Sequence, residues 1–199
     1  MLETLISFFQ NHQTKFLTFH ILGVVLGLGG ATISDILFFK FLKDYRISKK
    51  EEEVLHLLKN FMLSALGIII VTGFALYWPA ASYYNGSAPF LVKAIGVGVI
   101  TLNGIALHVY VAPHLIHLNL KNHQKMGRNW HRLAFALGAV SVVSWYSVFF
   151  IAMLKSNLTW SFGILLSAYL VLLGVGVLGS QWVEVYLSKK ANKKPKTSS

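Results

Sequence analysis

Five long apolar stretches constrain the fold of this chain more than any other feature of its sequence. A helix that spans the hydrocarbon core of a bilayer needs about 20 predominantly apolar residues. Stretches of that length occur at Phe16–Phe41, Val54–Trp78, Phe90–Ala112, Trp130–Leu154 and Trp160–Leu187. They are continuous rather than alternating, which argues against the strands of a membrane β-barrel. The sequence therefore predicts an all-α polytopic membrane bundle of five transmembrane helices.

The composition agrees with this fold class. Charged residues make up 13% of the chain, whereas a soluble domain carries about 25%. Cysteine is absent from the sequence, which excludes disulfides, thiolate zinc sites and Fe–S clusters. We expect one transmembrane domain at residues 1–188, beginning with a short amphipathic surface helix at about 2–11. Residues 189–199 are basic and polar, and we expect them to form a disordered tail.

The basic residues predict the orientation of the chain in the membrane. Three of the 18 lysines and arginines, namely Lys15, Lys93 and Lys155, fall on one side of the predicted spans, and the other fifteen fall on the opposite side. Basic residues concentrate in cytoplasmic loops. We therefore expect the N-terminus outside and the C-terminus in the cytoplasm, with the protein in the cytoplasmic (inner) membrane of a bacterium.

The same asymmetry accounts for the net charge of +11. Basic residues next to a membrane are attracted to anionic lipid headgroups. No aromatic interleaving or binding fold accompanies the charge, so nucleic acid is not an expected partner. The expected partners are the lipid bilayer and its anionic headgroups.

Small residues mark two of the predicted spans. Gly23 and Gly27 form a GxxxG pattern in the first span, and Gly174, Gly176 and Gly179 spell GxGxxG in the fifth. A dinucleotide site needs that second pattern after a strand, and here it lies inside an apolar span. Small residues let helix backbones approach closely. We therefore expect the fifth helix to pack by this edge against another helix, in the same chain or in a homo-oligomer.

Ionisable residues inside the spans are the candidates for function. Each costs at least about 2.5–3.5 kcal/mol at the centre of a membrane helix on insertion scales, so it is rarely incidental. Asp35, His56, His108 and His131 are on four different predicted helices. At a rise of 1.5 Å per residue, all four lie close to the cytoplasmic boundary of their spans. Four residues at similar depth can converge if they face the bundle interior.

Other polar residues have simpler interpretations. We expect Lys59, Lys93 and Glu184 to lie near span ends and to extend their charged groups to the interface. Each histidine taken alone can also serve as a hydrogen-bonding group between helices or in the headgroup region. The coincidence in depth is what favours a shared site.

Histidines on facing helices suit the axial ligation of haem iron. We expect His108 to be a ligand, with His56 or His131 as its partner from a neighbouring helix. Asp35 would accept a hydrogen bond from a ligating imidazole and so fix its tautomer. The same histidines could instead bind a divalent transition metal ion.

Further residues extend this hypothesis. Arg128, Arg132 and Lys59 lie near the interface, where they could pair with haem propionates. His20 lies about one turn inside the outer boundary and is the candidate ligand for a second haem. Met153 is the other soft ligand near that depth.

This arrangement loosely resembles the small bacterial b-type cytochromes, in which pairs of histidines on a four-helix core hold one or two haems. The resemblance covers the general plan of spans one to four and no diagnostic motif. It implies electron transfer between a quinol and a haem or metal acceptor, as in a membrane oxidoreductase component. From the depth of the histidines we expect haem b near the cytoplasmic side, with a quinol or another redox partner.

Two other functions fit the sequence. One is a transition-metal or proton-coupled transporter in which Asp35 and the histidines line a polar path. The spans show no inverted repeat and no broken central helix pair of the kind that many transporters have. The other is a cofactor-free membrane anchor subunit.

Overall fold

The computed structural model describes residues 2–42, 48–111, 128–154 and 161–192. Within these ranges the regular elements are helical. They are α1 (Leu2–Asn11), α2 (Gln13–Leu42), α3 (Lys49–Tyr77), a 3₁₀ turn (Trp78–Ala80), α4 (Ala81–Asn85), α5 (Ala88–Ala106), a π-helical turn (Leu107–Val111), α6 (Arg128–Met153) and α7 (Phe162–Asn192).

Five of these helical segments are long and apolar enough to cross a membrane. They cover Gln13–Leu37, Glu53–Asn85, Ala88–Val111, Asn129–Met153 and Phe162–Lys189. The all-helical prediction with five apolar spans is confirmed, and a helix also occupies the segment expected at residues 2–11. The last helix continues to Asn192, within the segment expected as a tail, and residues 193–199 lie outside the described residues.

A capping box fixes the start of α3. The Ser48 hydroxyl accepts a hydrogen bond from the Glu51 backbone N–H at 3.3 Å, and the Glu51 carboxylate accepts one from the Ser48 N–H at 2.7 Å. Such reciprocal bonds satisfy two N–H groups that the helix leaves without partners. As a result α3 begins before its apolar stretch and presents a polar first turn.

The small-residue stripe of α2 packs against side chains of other helices. A Cβ atom built on Gly23 would lie 3.0 Å from Ile68 of α3, and one built on Gly27 would lie 2.6 Å from Trp145 of α6. A Cβ atom built on Gly30 would lie 3.0 Å from Phe61 of α3. The first span therefore uses its glycines for contacts with α3 and α6.

The interior helix of the bundle is α6. It packs against α2, α5 and α7, and 44% of its most apolar window is buried, against 11% to 28% for the other four spans. Trp145 of α6 joins a buried cluster with Ala31, Leu66, Ile69 and Ile100. We therefore expect a buried functional site among the described residues to include side chains of α6.

The glycines of α7 differ in their surroundings. A Cβ on Gly176 would lie 2.7 Å from Val143 of α6, which confirms close packing at that position. Among the described residues, no atom lies within 4 Å of a Cβ built on Gly174 or Gly179. A contact of Gly174 with a second copy of the chain stays a prediction.

Two alanine substitutions in α2 test the packing of its glycines. Gly27→Ala places a methyl group against the Trp145 ring, and such overpacking costs about 1–3 kcal/mol. Gly29→Ala is the matched control, because its Cβ has no neighbour within 4 Å among the described residues. We expect a lower thermal midpoint in detergent for Gly27→Ala and an unchanged or higher one for Gly29→Ala. Equal midpoints for the two variants would contradict this packing.

Candidate functional site

A buried charged cluster joins α6 to α7. The side chains of His131 and Glu184 are both 0% exposed, and His131 Nδ1 lies 3.7 Å from Glu184 Oε1. Arg132 Nε donates a hydrogen bond to Glu184 Oε2 at 3.3 Å. A buried carboxylate is costly unless it is paired, and the guanidinium of Arg132 supplies a permanent positive charge. Arg132 is 43% exposed, so this cluster reaches the surface of the protein through the arginine.

A second contact fixes α7 at the same level. The side-chain amide of Gln181 donates a hydrogen bond to the backbone carbonyl of Arg132 at 3.0 Å. Gln181 and Glu184 are three residues apart and therefore lie on one face of α7. Together they hold that face against the first turn of α6.

The turn that contains His108 packs beside this cluster. The ring of His131 lies 4.8 Å from the ring of Phe135, and Phe135 is buried with Val111, the last residue of the π-helical turn. That turn packs against α6. π-Helical turns occur frequently at functional sites. The side chain of His108 lies outside the described residues, so its pairing with His131 stays a prediction.

Asp35 makes a polar contact between α2 and α6. Its side chain is 9% exposed and accepts a hydrogen bond from the Ser141 hydroxyl. The other carboxyl oxygen, Oδ2, is buried and has no hydrogen-bond partner among the described residues. Nearby on α2, the Thr32 hydroxyl lies 3.1 Å from the Tyr146 hydroxyl.

Asn103 makes the corresponding contact between α5 and α6. Its side-chain amide donates a hydrogen bond to the carbonyl of Leu137 at 3.1 Å. A helix carbonyl can accept this second bond because it has two lone pairs. Within the described part of the chain, the side-chain oxygen of Asn103 is buried without a partner.

A further polar contact lies nearer the other end of α6. The hydroxyls of Ser144 and Tyr169 are 2.9 Å apart, and their residues are 0% and 2% exposed. Tyr169 is on α7, so this contact and the Glu184 cluster attach the same two helices at different depths.

These contacts form a series along the interior of α6, which we name the α6 polar row. It comprises the α6 groups His131, the Leu137 carbonyl, Ser141 and Ser144, with their partners Glu184, Asn103, Asp35 and Tyr169. From residue 131 to residue 144, a rise of 1.5 Å per residue gives about 20 Å along the helix axis. The row therefore covers a large part of the apolar span of α6.

The other predicted site residues lie elsewhere. His56 is exposed on α3, His20 lies on α2 beside Thr72, and Lys59 is half-buried on α3. The side chain of Arg128 lies outside the described residues. Among the described residues, no three His, Asp or Glu side chains are grouped so that they could hold a metal ion. Of the predicted site residues, His131 and Arg132 both lie against the Glu184 carboxylate. Asp35 is paired with Ser141 rather than with an imidazole of the described residues.

Glu184 is the site residue that sequence reasoning missed. We expected its carboxylate to extend to the interface, and that expectation is wrong because the residue is fully buried. A signal was present in the sequence: the polar residues Ser180, Gln181, Glu184 and Ser188 recur at helical spacing and share one face of an otherwise apolar helix. That face packs against α6.

Comparisons of the chain with protein-family models, with curated proteins and with solved structures each find no match. The interpretation of the site therefore comes from its own geometry and chemistry.

Proposed function

We propose that this chain is a membrane protein that moves protons along the α6 polar row, as a proton-coupled transporter requires. One observation carries the proposal: each of the three helices packed on α6 places a buried polar side chain against it. These are Asp35 from α2, Asn103 from α5 and Glu184 from α7. Ionisable residues inside a membrane are costly, and they often mark ion pathways and proton relays.

The chemistry of the row suits proton transfer. A carboxylate accepts a proton, and a hydroxyl can accept one hydrogen bond while it donates another. Asp35 Oδ2 is a buried acceptor, and the Ser141 hydroxyl donates to the same carboxyl group. In the proposed transfer, an O–H bond forms at Asp35 Oδ2 as the incoming proton leaves its donor, and the same bond breaks when the proton passes to the next acceptor.

The cluster at the end of the row provides the second proton-binding group. Glu184 is fully buried, and its charged form is compensated by Arg132 at 3.3 Å. Because Arg132 is partly exposed, it connects this carboxylate to the polar surface. We infer that Glu184 exchanges protons between the row and the side of the membrane on which Arg132 lies.

We infer that this side is the cytoplasm, in the inner membrane of a bacterium. Five crossings of the membrane would put the two termini on opposite sides, and the loops and tail with fifteen of the 18 basic residues would then lie on the side of the C-terminus. Basic loops remain in the cytoplasm during insertion.

Fusion of a reporter to the C-terminus tests the orientation. We expect a reporter that functions only in the cytoplasm to be active, because the tail adds five lysines to the basic side. An N-terminal fusion of the same reporter is the control and should be inactive. Activity at the N-terminus alone would overturn the orientation.

Proton flux tests the function directly. The purified protein is placed in phospholipid vesicles that contain a pH-sensitive dye, and a potassium diffusion potential drives protons inward. We expect Asp35→Asn and Glu184→Gln each to lower the flux by at least about tenfold, because each removes a group that can bind and release a proton. Both replacements keep the size and the acceptor oxygen of the side chain.

The control for this experiment is Glu53→Gln, which changes an exposed carboxylate on α3 and should leave the flux unchanged. Thermal midpoints of the variants identify any that fail to fold. A wild-type protein that conducts no more than empty vesicles, or an Asp35→Asn variant with full flux, would contradict the proposal.

A second candidate function is haem b binding for electron transfer, and the π-helical turn at His108 favours it. The turn that contains His108 packs against α6 through Val111, which is buried with Phe135, and the buried Nδ1 of His131 lies 3.7 Å from the Glu184 carboxylate. Histidines that bind a metal commonly direct their other ring nitrogen to a carboxylate. In this candidate Glu184 takes the role that the sequence suggested for Asp35, and Arg132 would contact a propionate. Bound haem would supply one-electron transfer to a quinol or another partner.

A visible absorption spectrum of the purified protein tests the second candidate. Haem ligated by two histidines gives Soret and α bands, and we expect His108→Ala to abolish them because the variant loses an axial ligand. His56→Ala is the control, since that side chain is exposed. A colourless wild-type protein expressed with ample haem would end this candidate and leave the proton-flux proposal untouched.

A further inference from the structure

A second buried polar contact lies between α2 and α3, on the half of the protein opposite the Glu184 cluster. His20 Nδ1 is 3.0 Å from the hydroxyl oxygen of Thr72, and Thr72 is 7% exposed. His20 and Asp35 are both on α2, and their separation of 15 in residue number corresponds to about 22 Å along the helix axis. This contact therefore lies well away from the α6 contact of Asp35.

The hydrogen bonds of Thr72 determine which atom is the donor in its contact with His20. The Thr72 hydroxyl donates to the carbonyl of Ile68, one turn earlier in α3. A hydroxyl has a single proton to donate. Since that proton is directed to Ile68, the Thr72 oxygen must accept the hydrogen bond from His20, and the proton lies on Nδ1.

The same assignment determines the role of the second ring nitrogen. In a neutral imidazole, one nitrogen carries the proton and the other carries a lone pair. A proton on Nδ1 therefore leaves Nε2 as the acceptor atom of the ring.

Gly73 allows the ring to lie this close to α3. A Cβ atom on Gly73 would lie 3.2 Å from His20 Cε1 and 3.6 Å from its Nδ1. The charged group that acts on His20 from α5 is Lys93, whose Nζ lies 5.6 Å from the centre of the Phe90 ring. The ring is thus positioned by two successive residues of α3, Thr72 and Gly73.

We infer that His20 is held as the Nδ1-protonated tautomer by Thr72, and that its Nε2 is the proton-accepting atom of the outer half of the protein. Thr72 is then a positioning residue. The second part of this inference rests on the proposed proton transfer, whereas the tautomer does not. In the transfer, Nε2 binds a proton from the outer aqueous side to give the imidazolium and then releases that same proton inward, with the Nδ1–H bond unchanged.

Nitrogen NMR of the histidines tests the tautomer, because protonated and unprotonated ring nitrogens have well separated ¹⁵N shifts. The protein is labelled with ¹⁵N-histidine in detergent, and a His20→Gln spectrum assigns the signals. We expect the Nδ1-protonated form in the wild type and in Thr72→Ser, which keeps the acceptor oxygen. Thr72→Val removes that oxygen and should shift the ring toward the Nε2-protonated form. An Nε2-protonated His20 in the wild type would overturn the inference.

Vesicle proton flux tests the role of Nε2. We expect His20→Gln to lower the flux by about tenfold or more, Thr72→Val to lower it as well, and Thr72→Ser to retain it. Full flux in a folded His20→Gln variant would overturn the role while the tautomer assignment stands. Absence of flux in the wild type would overturn the proposed function and this role together, whereas the NMR result would still decide the tautomer.

Discussion

Polar groups buried among apolar helices must find their partners within the protein, because hydrocarbon offers none. In this bundle α6 supplies most of those partners. Asp35, Asn103 and Glu184 come from three different helices, and each is hydrogen-bonded to a group on α6. The same polar contacts therefore orient the helices around α6 and form the candidate site.

The sequence predicted the helices well and the site only in part. Span length and apolarity determine which segments form long helices, so all five were found. Depth in a span could also be read from residue number. The direction in which a side chain points around its helix could not, and this direction separates buried His131 from exposed His56. Glu184 was misjudged for the same reason, because its distance from the end of the helix said nothing about its contact with α6.

The glycines illustrate the same limit. Gly23 and Gly27 indicate the close approach of a neighbour, and the structure identifies the neighbours as Ile68 of α3 and Trp145 of α6. In α7, a Cβ atom on Gly176 would contact α6, whereas one on Gly174 has no neighbour within 4 Å in the described part of the chain. Two residues along a helix change the facing direction by about 200°, so a pattern of small residues can include positions with opposite surroundings.

The attachment of α7 has a consequence for how the protein is assembled. Only 11% of its most apolar window is buried, so this helix can reside in lipid as an independent segment before it docks, as helices do in two-stage assembly. Apolar contact with lipid does not distinguish one rotation of such a helix from another. The Arg132–Glu184 and Ser144–Tyr169 contacts do, because they meet only at one rotation and one depth. The register of α7 on α6 is therefore set by polar contacts at two depths, and the bond from Gln181 to the Arg132 carbonyl adds a third such contact.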